Sequence, residues 1–418
     1  MTPVVAGMSM LEFRIGDLNY TGFLWSGMLA VGLMLLALIR LTSKESLLVG
    51  TWWPWLAWCG FAWSTLAWTT EINSRNVQDV MQLSMPVVVG MIAACTVRTR
   101  AELKLVLGSF IVTLALLSLY TFAYLREGGE DNWLQPHLRS AALTATVVGC
   151  VFLSGFPARK LIPLLGWGSA VAITAVTGSR IAALALLAAM IMHPLLGSMR
   201  RVAALAAATV VGIALFYSPT FQERFFPSGS GGLTDLASGR VEDAGRFDAW
   251  TQIWVEATNR PLLGAGVGSS HVLVDVVWGD TDQVHNDYLR VFYETGLVGF
   301  ALFLAVFGWQ LAVLGRQIRE AEGVLQRALL AAFLGLTAML VTCLTDNTIT
   351  YNLFYTDPLF AVIGSAAGVL WTERQLAANM APDDALWRVN AFRQQAKLKQ
   401  SPGQQSFGWG RGIILPNQ

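Results

Sequence analysis

Apolar runs close to the length of a bilayer span recur along this chain, and they constrain it more than any other feature. A hydrocarbon core about 30 Å thick takes about 20 helical residues to cross. Runs near that length lie at residues 22–39, 46–68, 77–97, 105–125, 141–157, 161–177, 181–197, 202–217, 296–315, 328–346 and 353–371. Because the bilayer offers backbone groups no hydrogen-bond partners, such runs must be helical. The expected fold is an all-α integral membrane protein with about 11–12 transmembrane helices. The twelfth depends on the stretch 3–13, which is too short to span unaided. Composition agrees: 13% of residues are charged and 54% hydrophobic, whereas a soluble domain carries about 25% charged residues. That balance excludes a disordered chain, collagen, a coiled coil and a nucleic-acid binder.

Basic residues set the expected orientation. Alternating the spans puts Arg40, Lys44, Arg98, Arg100, Lys104, Arg159, Lys160, Arg200, Arg201, Arg316, Arg319, Arg327 and the tail after 371 on one side. All the lysines fall there, so this side is expected to be cytoplasmic, with the C-terminus in it. The opposite, periplasmic side carries one large loop between the eighth and ninth spans. The expected organisation is a membrane bundle over 1–217, a loop over 218–288, further membrane helices over 289–371 and a tail over 372–418. The loop has ten carboxylates against four arginines, a net charge of −6. An anion site there must rest on individual arginines at short range. The first residues lack the basic start and short apolar core of a cleaved signal peptide. Cys59, Cys95, Cys150 and Cys343 form no CxxC pair and read as small buried hydrophobes. Trp52, Trp53, Trp55 and Trp58 open the second span and read as an interfacial aromatic belt.

Chemistry-bearing residues gather at five places on the outer side. Arg180 follows Gly178-Ser179 in a tight turn between two short spans, where it could hold an anion or snorkel to headgroups. Arg246, Trp250, Ile253, Trp254 and Ala257 share one face of a helix that Asn259-Arg260-Pro261 stops. Such a helix could lie on the membrane with Arg246 at its N-terminus, where the helix dipole favours an anion. Its tryptophans could equally pack into a loop core. Gly264-Ala-Gly266-Val-Gly268 has no preceding strand and no following lysine, so it is a poor nucleotide loop. Close backbone approach to a substrate or a neighbouring helix is the better use of those glycines. His285 lies before the ninth span, and a neutral imidazole there could accept a proton from an attacking hydroxyl. Asp280 and Asp282 just upstream give only a weak metal pattern. Finally Asp346, in Thr345–Tyr351, could orient a catalytic group, bind a sugar hydroxyl or cap a turn.

In their order along the chain these stretches resemble the bacterial O-antigen ligase and O-antigen polymerase family. The matching pieces are Gly178-Ser179-Arg180, Arg246 to Trp254, Pro261 to Gly268, His285-Asn286-Asp287-Tyr288-Leu289 and Glu294-Thr295-Gly296-Leu297-Val298-Gly299. The resemblance implies a C-type glycosyltransferase-like membrane enzyme of the inner membrane, working at the periplasmic face. Its implied donor is a glycan on undecaprenyl pyrophosphate, and its acceptor the lipid A core or a second lipid-linked repeat. Transfer would invert the anomeric carbon and need neither metal nor other cofactor. Carried over, Arg180 and Arg246 would hold the pyrophosphate and His285 would be the general base. Trp250, Trp254, Gly266, Asn286, Asp287, Tyr288, Arg290 and Asp346 are expected around the substrate. The second phosphate arginine is open among Arg240, Arg246, Arg260 and Arg290. A polytopic transporter or flippase is the competing class; the near absence of charge away from the span ends argues against it. A receptor or scaffold built on the long loop is a third class.

Overall fold

A computed structural model describes residues 14–15, 18–43, 52–69, 72, 74–126, 138–159, 161–219, 246–278 and 283–379, with scattered positions between 222 and 238. The stretch 3–13, Arg240 and the Asp280/Asp282 pair lie outside the described residues. A two-residue hairpin, β1 (Arg14–Ile15) with β2 (Leu18–Asn19), runs into α1 (Tyr20–Ser43). There follow α2 (Trp53–Ser64), α3 (Ser74–Thr96), α4 (Arg100–Arg126), α5 (Leu138–Leu153), α6 (Ile162–Val176), α7 (Arg180–Ile191) and α8 (Ser198–Phe216). The loop region supplies α9 (Arg246–Asn259) and α10 (Ser270–Trp278), and α11 (Asp287–Glu320), α12 (Gly323–Thr342) and α13 (Asp357–Ala378) complete the order.

This is an all-α membrane protein. Among the described residues five helices are long and apolar enough to cross a bilayer: Arg75–Thr96, Arg100–Arg126, Asp287–Glu320, Gly323–Thr342 and Asn352–Ala378. Five more are apolar but shorter, including Arg180–Ile191. The chain divides into two compact units, Met1–Trp371 and Thr372–Gln418, and the described part of the second is helical through Ala378.

At the centre stands α12, buried on nearly every face from Val324 to Met339, as expected of a helix that is apolar all round. It packs against α4, α5, α7 and α11. Close helix approach is bought with small residues. A Cβ on Gly364 would collide with the carbonyl of Gly90, and one on Gly368 with the carbonyls of Ala94 and Val97. The Gly364–Gly368 spacing thus lays one face of α13 directly on the backbone of α3.

Three of the four tryptophans expected at an interface are instead core residues: Trp52, Trp55 and Trp58 are 2–3% exposed, and only Trp53, at 68%, is outward. The reason is a polar and aromatic partner set inside the bundle. Trp55 Nε1 donates to Gln310 Oε1 at 3.0 Å, while its ring meets Phe307 and Phe360 edge-on. A buried indole N–H is tolerated because it is satisfied.

Candidate functional site

The ninth apolar run starts earlier than its hydropathy indicates, because α11 begins at Asp287 and is broken at Gly296, where φ is 64° and ψ −169°. A break frees backbone groups that must find other partners. The segment Pro261–Gly268 supplies them. Ala265 N–H donates to Tyr293 O at 2.9 Å and Gly266 N–H to Glu294 O at 2.8 Å. In return Leu297 N–H donates to Pro261 O at 2.8 Å and Val298 N–H to Leu262 O at 3.1 Å. The same segment reaches α3 and the end of α2: Val267 N–H donates to Thr65 Oγ1 at 3.0 Å and Asn76 Nδ2 to Val267 O at 2.9 Å.

This settles the use of the glycine-rich run, which approaches a neighbouring helix. Gly264, Gly266 and Gly268 all have positive φ, and a Cβ on Gly264 would lie 2.5 Å from the Glu294 carbonyl. A Cβ on Gly296 would collide with the backbone of Leu262. Gly296→Ala is therefore expected to destabilise the protein by about 3 kcal/mol or more, since strain and overlap coincide on rigid backbone. Thermal unfolding of the purified variant checks this, with Gly308→Ala as control because its Cβ would meet open space.

Behind the clamp lies a buried ionic cluster. Asp79 Oδ2 sits 2.7 Å from both Arg290 Nη2 and His271 Nε2, and Arg290 Nε lies 3.3 Å from Glu294 Oε1. Ser270 Oγ donates to that same Glu294 oxygen at 2.6 Å. Arg290 is 4% exposed, so this candidate phosphate ligand has its guanidinium committed to two carboxylates. Asp79 and His271 were not among the expected site residues. A carboxylate inside an apolar run was the available signal, because such a charge requires a partner. Nothing in the local sequence identified which one.

His285, next to the N-cap Asn286, stands two residues before α11. Its φ of 52° is the one positive value at a non-glycine position among the described residues, and such strain persists only where surroundings over-determine it. Asn347 does so. His285 N–H donates to Asn347 Oδ1 at 2.9 Å, and Asn347 Nδ2 approaches His285 Nδ1 at 3.0 Å. Asp346 Oδ1 accepts from Asn347 N–H at 2.9 Å and lies 3.7 Å from His285 Nδ1. The following residues lock the segment to the same connection. Asp287 N–H donates to Cys343 O and its Oδ2 accepts from Ile349 N–H, both at 2.9 Å. Asn286 caps α11 by accepting from Leu289 N–H at 3.0 Å, and Tyr288 Oη donates to Leu340 O at 2.6 Å. Thus Asp346, of which the sequence left three uses open, is placed beside the imidazole. Asn347, in the same singled-out segment, is the closer partner and was not anticipated.

The loop helix α9 joins the same place through Trp250, whose Nε1 donates to Val284 O at 2.8 Å. Arg246 is one turn before Trp250 and so shares its face. The buried stripe of α9 is Ala249, Ile253 and Ala257, rotated from the expected one. Trp254 is 55% exposed and stacks on Phe292 at 5.4 Å. Packing into a core of Ile253, Val274 and Val284 explains Trp250. Arg260 is exposed where α9 ends.

Arg180 is the first residue of α7 and half-buried, after Gly178 at φ 64° and Ser179 in an extended conformation. Helix α7 packs on α8, which follows it through a short connection, and on α12, whose far end leads to Asp346. An up-and-down pair returns the chain to the end from which it started. Arg180 and the C-terminal end of α8 therefore lie at the same end of their helical pair. Arg180 and Arg246 each open a helix and His285 precedes one, so three helix N-termini, favourable to anions, carry the three principal candidates.

Fold and site together define a polytopic all-α membrane protein in which α9 and α10 pack against α11 beside a polar site. The sequence profile of the family described as O-antigen ligase matches residues 165–304. Over that stretch the chain is similar to the O-antigen ligase family, in keeping with the resemblance read from its motifs. The family implies a glycosyltransferase-like ligase or polymerase activity in a multi-pass inner-membrane protein. The matched stretch includes Arg180, Arg246, Gly266 and His285, and ends before Asp346 and Asn347. A search of the curated proteins finds no match to this chain.

Proposed function

We propose that this protein transfers a glycan from undecaprenyl pyrophosphate to an acceptor hydroxyl at the periplasmic face of the inner membrane. The acceptor is the sugar of a lipid A core in the ligase reading, or of a second lipid-linked repeat in the polymerase reading. The observation that carries the proposal is the clamping of His285, in left-handed backbone, within the segment matched to the family. Arg180 and Arg246 are assigned to the diphosphate, whose oxygens a guanidinium binds in charge-assisted, bidentate fashion. Stabilising charge on the departing diphosphate is the largest contribution expected of the protein. His285 is assigned a place next to the reacting atoms, where an imidazole can either donate or accept a hydrogen bond. Two arginines give the diphosphate its positive counter-charge, so the reaction is assigned as metal-independent. Attack opposite the leaving group would invert the anomeric carbon.

The test is reconstitution of the full chain in vesicles with lipid-diphosphate-linked glycan and either acceptor, with and without chelator. The wild type is expected to consume the donor, and His285→Ala to leave it about 100-fold less consumed while inserting normally. Translocation of intact donor without consumption would instead identify a flippase.

A further inference from the structure

Asn347 touches His285 at both ends of its carboxamide, and that double contact decides which ring nitrogen carries the proton. An amide presents an acceptor oxygen on one side and a donor nitrogen on the other. The backbone N–H of His285 can only donate, so it claims Oδ1, at 2.9 Å. The NH2 group is thereby turned toward Nδ1, at 3.0 Å. Turning the amide over would set two donors against each other at the backbone and leave Asn347, which is fully buried, with its hydrogen bonds unmade. Nδ1 is therefore the acceptor of this pair, and a neutral imidazole then holds its proton on Nε2. Asp346 Oδ1, 3.7 Å from Nδ1, is beyond hydrogen-bond distance. Its nearer partner is the Asn347 N–H at 2.9 Å, so it holds the asparagine in place.

We infer that Asn347 is a positioning residue that fixes His285 as the Nε2–H tautomer, so that His285 serves the transfer as a hydrogen-bond donor rather than as a base. This rests on the reading of the site as a glycan transferase. In the step, the acceptor oxygen bonds to the anomeric carbon while the bond from that carbon to the phosphate oxygen breaks. The bonding pair leaves on the phosphate, and the acceptor's proton passes to a diphosphate oxygen. His285 Nε2–H donates to the diphosphate and stabilises the charge it gains. A histidine residue by itself suggests a base; the asparagine bound to it assigns the opposite role.

Two measurements on the full-length protein in vesicles test this. His285→Gln places a carboxamide N–H where Nε2–H was and has no basic nitrogen. It is expected to keep turnover within about tenfold of wild type, while His285→Ala loses about 100-fold or more. Equal loss in both variants overturns the donor role. Nitrogen-15 spectra of labelled histidine, with His285 assigned by the signal missing from His285→Gln, should show Nε2 protonated and Nδ1 bare. In Asn347→Asp the carboxylate accepts from both the backbone and the ring, so the proton should move to Nδ1. A proton already on Nδ1 in the wild type, or one that Asn347→Asp does not move, overturns the assignment to Asn347. A wild type inactive toward every lipid-diphosphate donor would refute the transferase reading and with it the donor role. The spectra would still decide what Asn347 does to the ring.

Discussion

Arg290→Met is expected to destabilise the folded protein by about 3–5 kcal/mol, the usual consequence of removing one partner from a buried ion pair. Asp79 and Glu294 would remain in place, with side chains 6% and 3% exposed, and lose the cation both face. His271 and Ser270 retain one contact each, too few to compensate two desolvated carboxylates. The cluster joins α3, α10 and α11, so the effect should appear as a lower unfolding temperature and a smaller folded fraction in detergent. Adding Asp79→Asn and Glu294→Gln to Arg290→Met should recover a large part of the loss, because neutral amides no longer need the guanidinium. If Arg290→Met unfolded at the wild-type temperature and lost only transfer activity, Arg290 would be a phosphate ligand after all.

For Arg180→Ala the expected loss is in turnover, about 100- to 1,000-fold, the range for removing one donor aimed at developing charge. Insertion and unfolding temperature should stay near wild type, since Arg180 is half-buried at the start of its helix. Arg180→Lys should recover only part of the activity, because an ammonium is a point charge without the planar fork that grips two phosphate oxygens. The measurement is donor consumption in vesicles at fixed amounts of inserted protein. Wild-type turnover in Arg180→Ala would remove this residue from the site. Arg246→Ala is expected to behave in the same way if α9 brings its first turn to the diphosphate, as the bond from Trp250 to Val284 suggests.

Helices were legible wherever an apolar run dictated them, whereas the close approach of α13 to α3 at Gly364 and Gly368 came only from the packed structure. The tryptophans of α2 were misassigned because hydropathy reports that an aromatic is near a membrane, and is silent on the polar partner, here Gln310, that draws it inward. The stripe of α9 was rotated for a related reason: Trp254 found Phe292 outside the core rather than a place within it. Arg290 had the chemistry of a phosphate ligand, and only its contact with Asp79 on a distant helix showed where its charge is used.

What the residues determined unaided is the all-α membrane architecture, the order of the motifs and the identity of Arg180, Arg246 and His285 as the groups to examine. These follow from local rules, namely helix length against bilayer thickness and residue type against chemistry. The tertiary structure alone decided that Pro261–Gly268 clamps the break at Gly296, that Arg290 belongs to a buried cluster and that Asn347 holds His285 from across the next helical hairpin. Such pairings join residues far apart in the chain by directional hydrogen bonds. No periodicity encodes them; only the packed bundle brings their partners within reach.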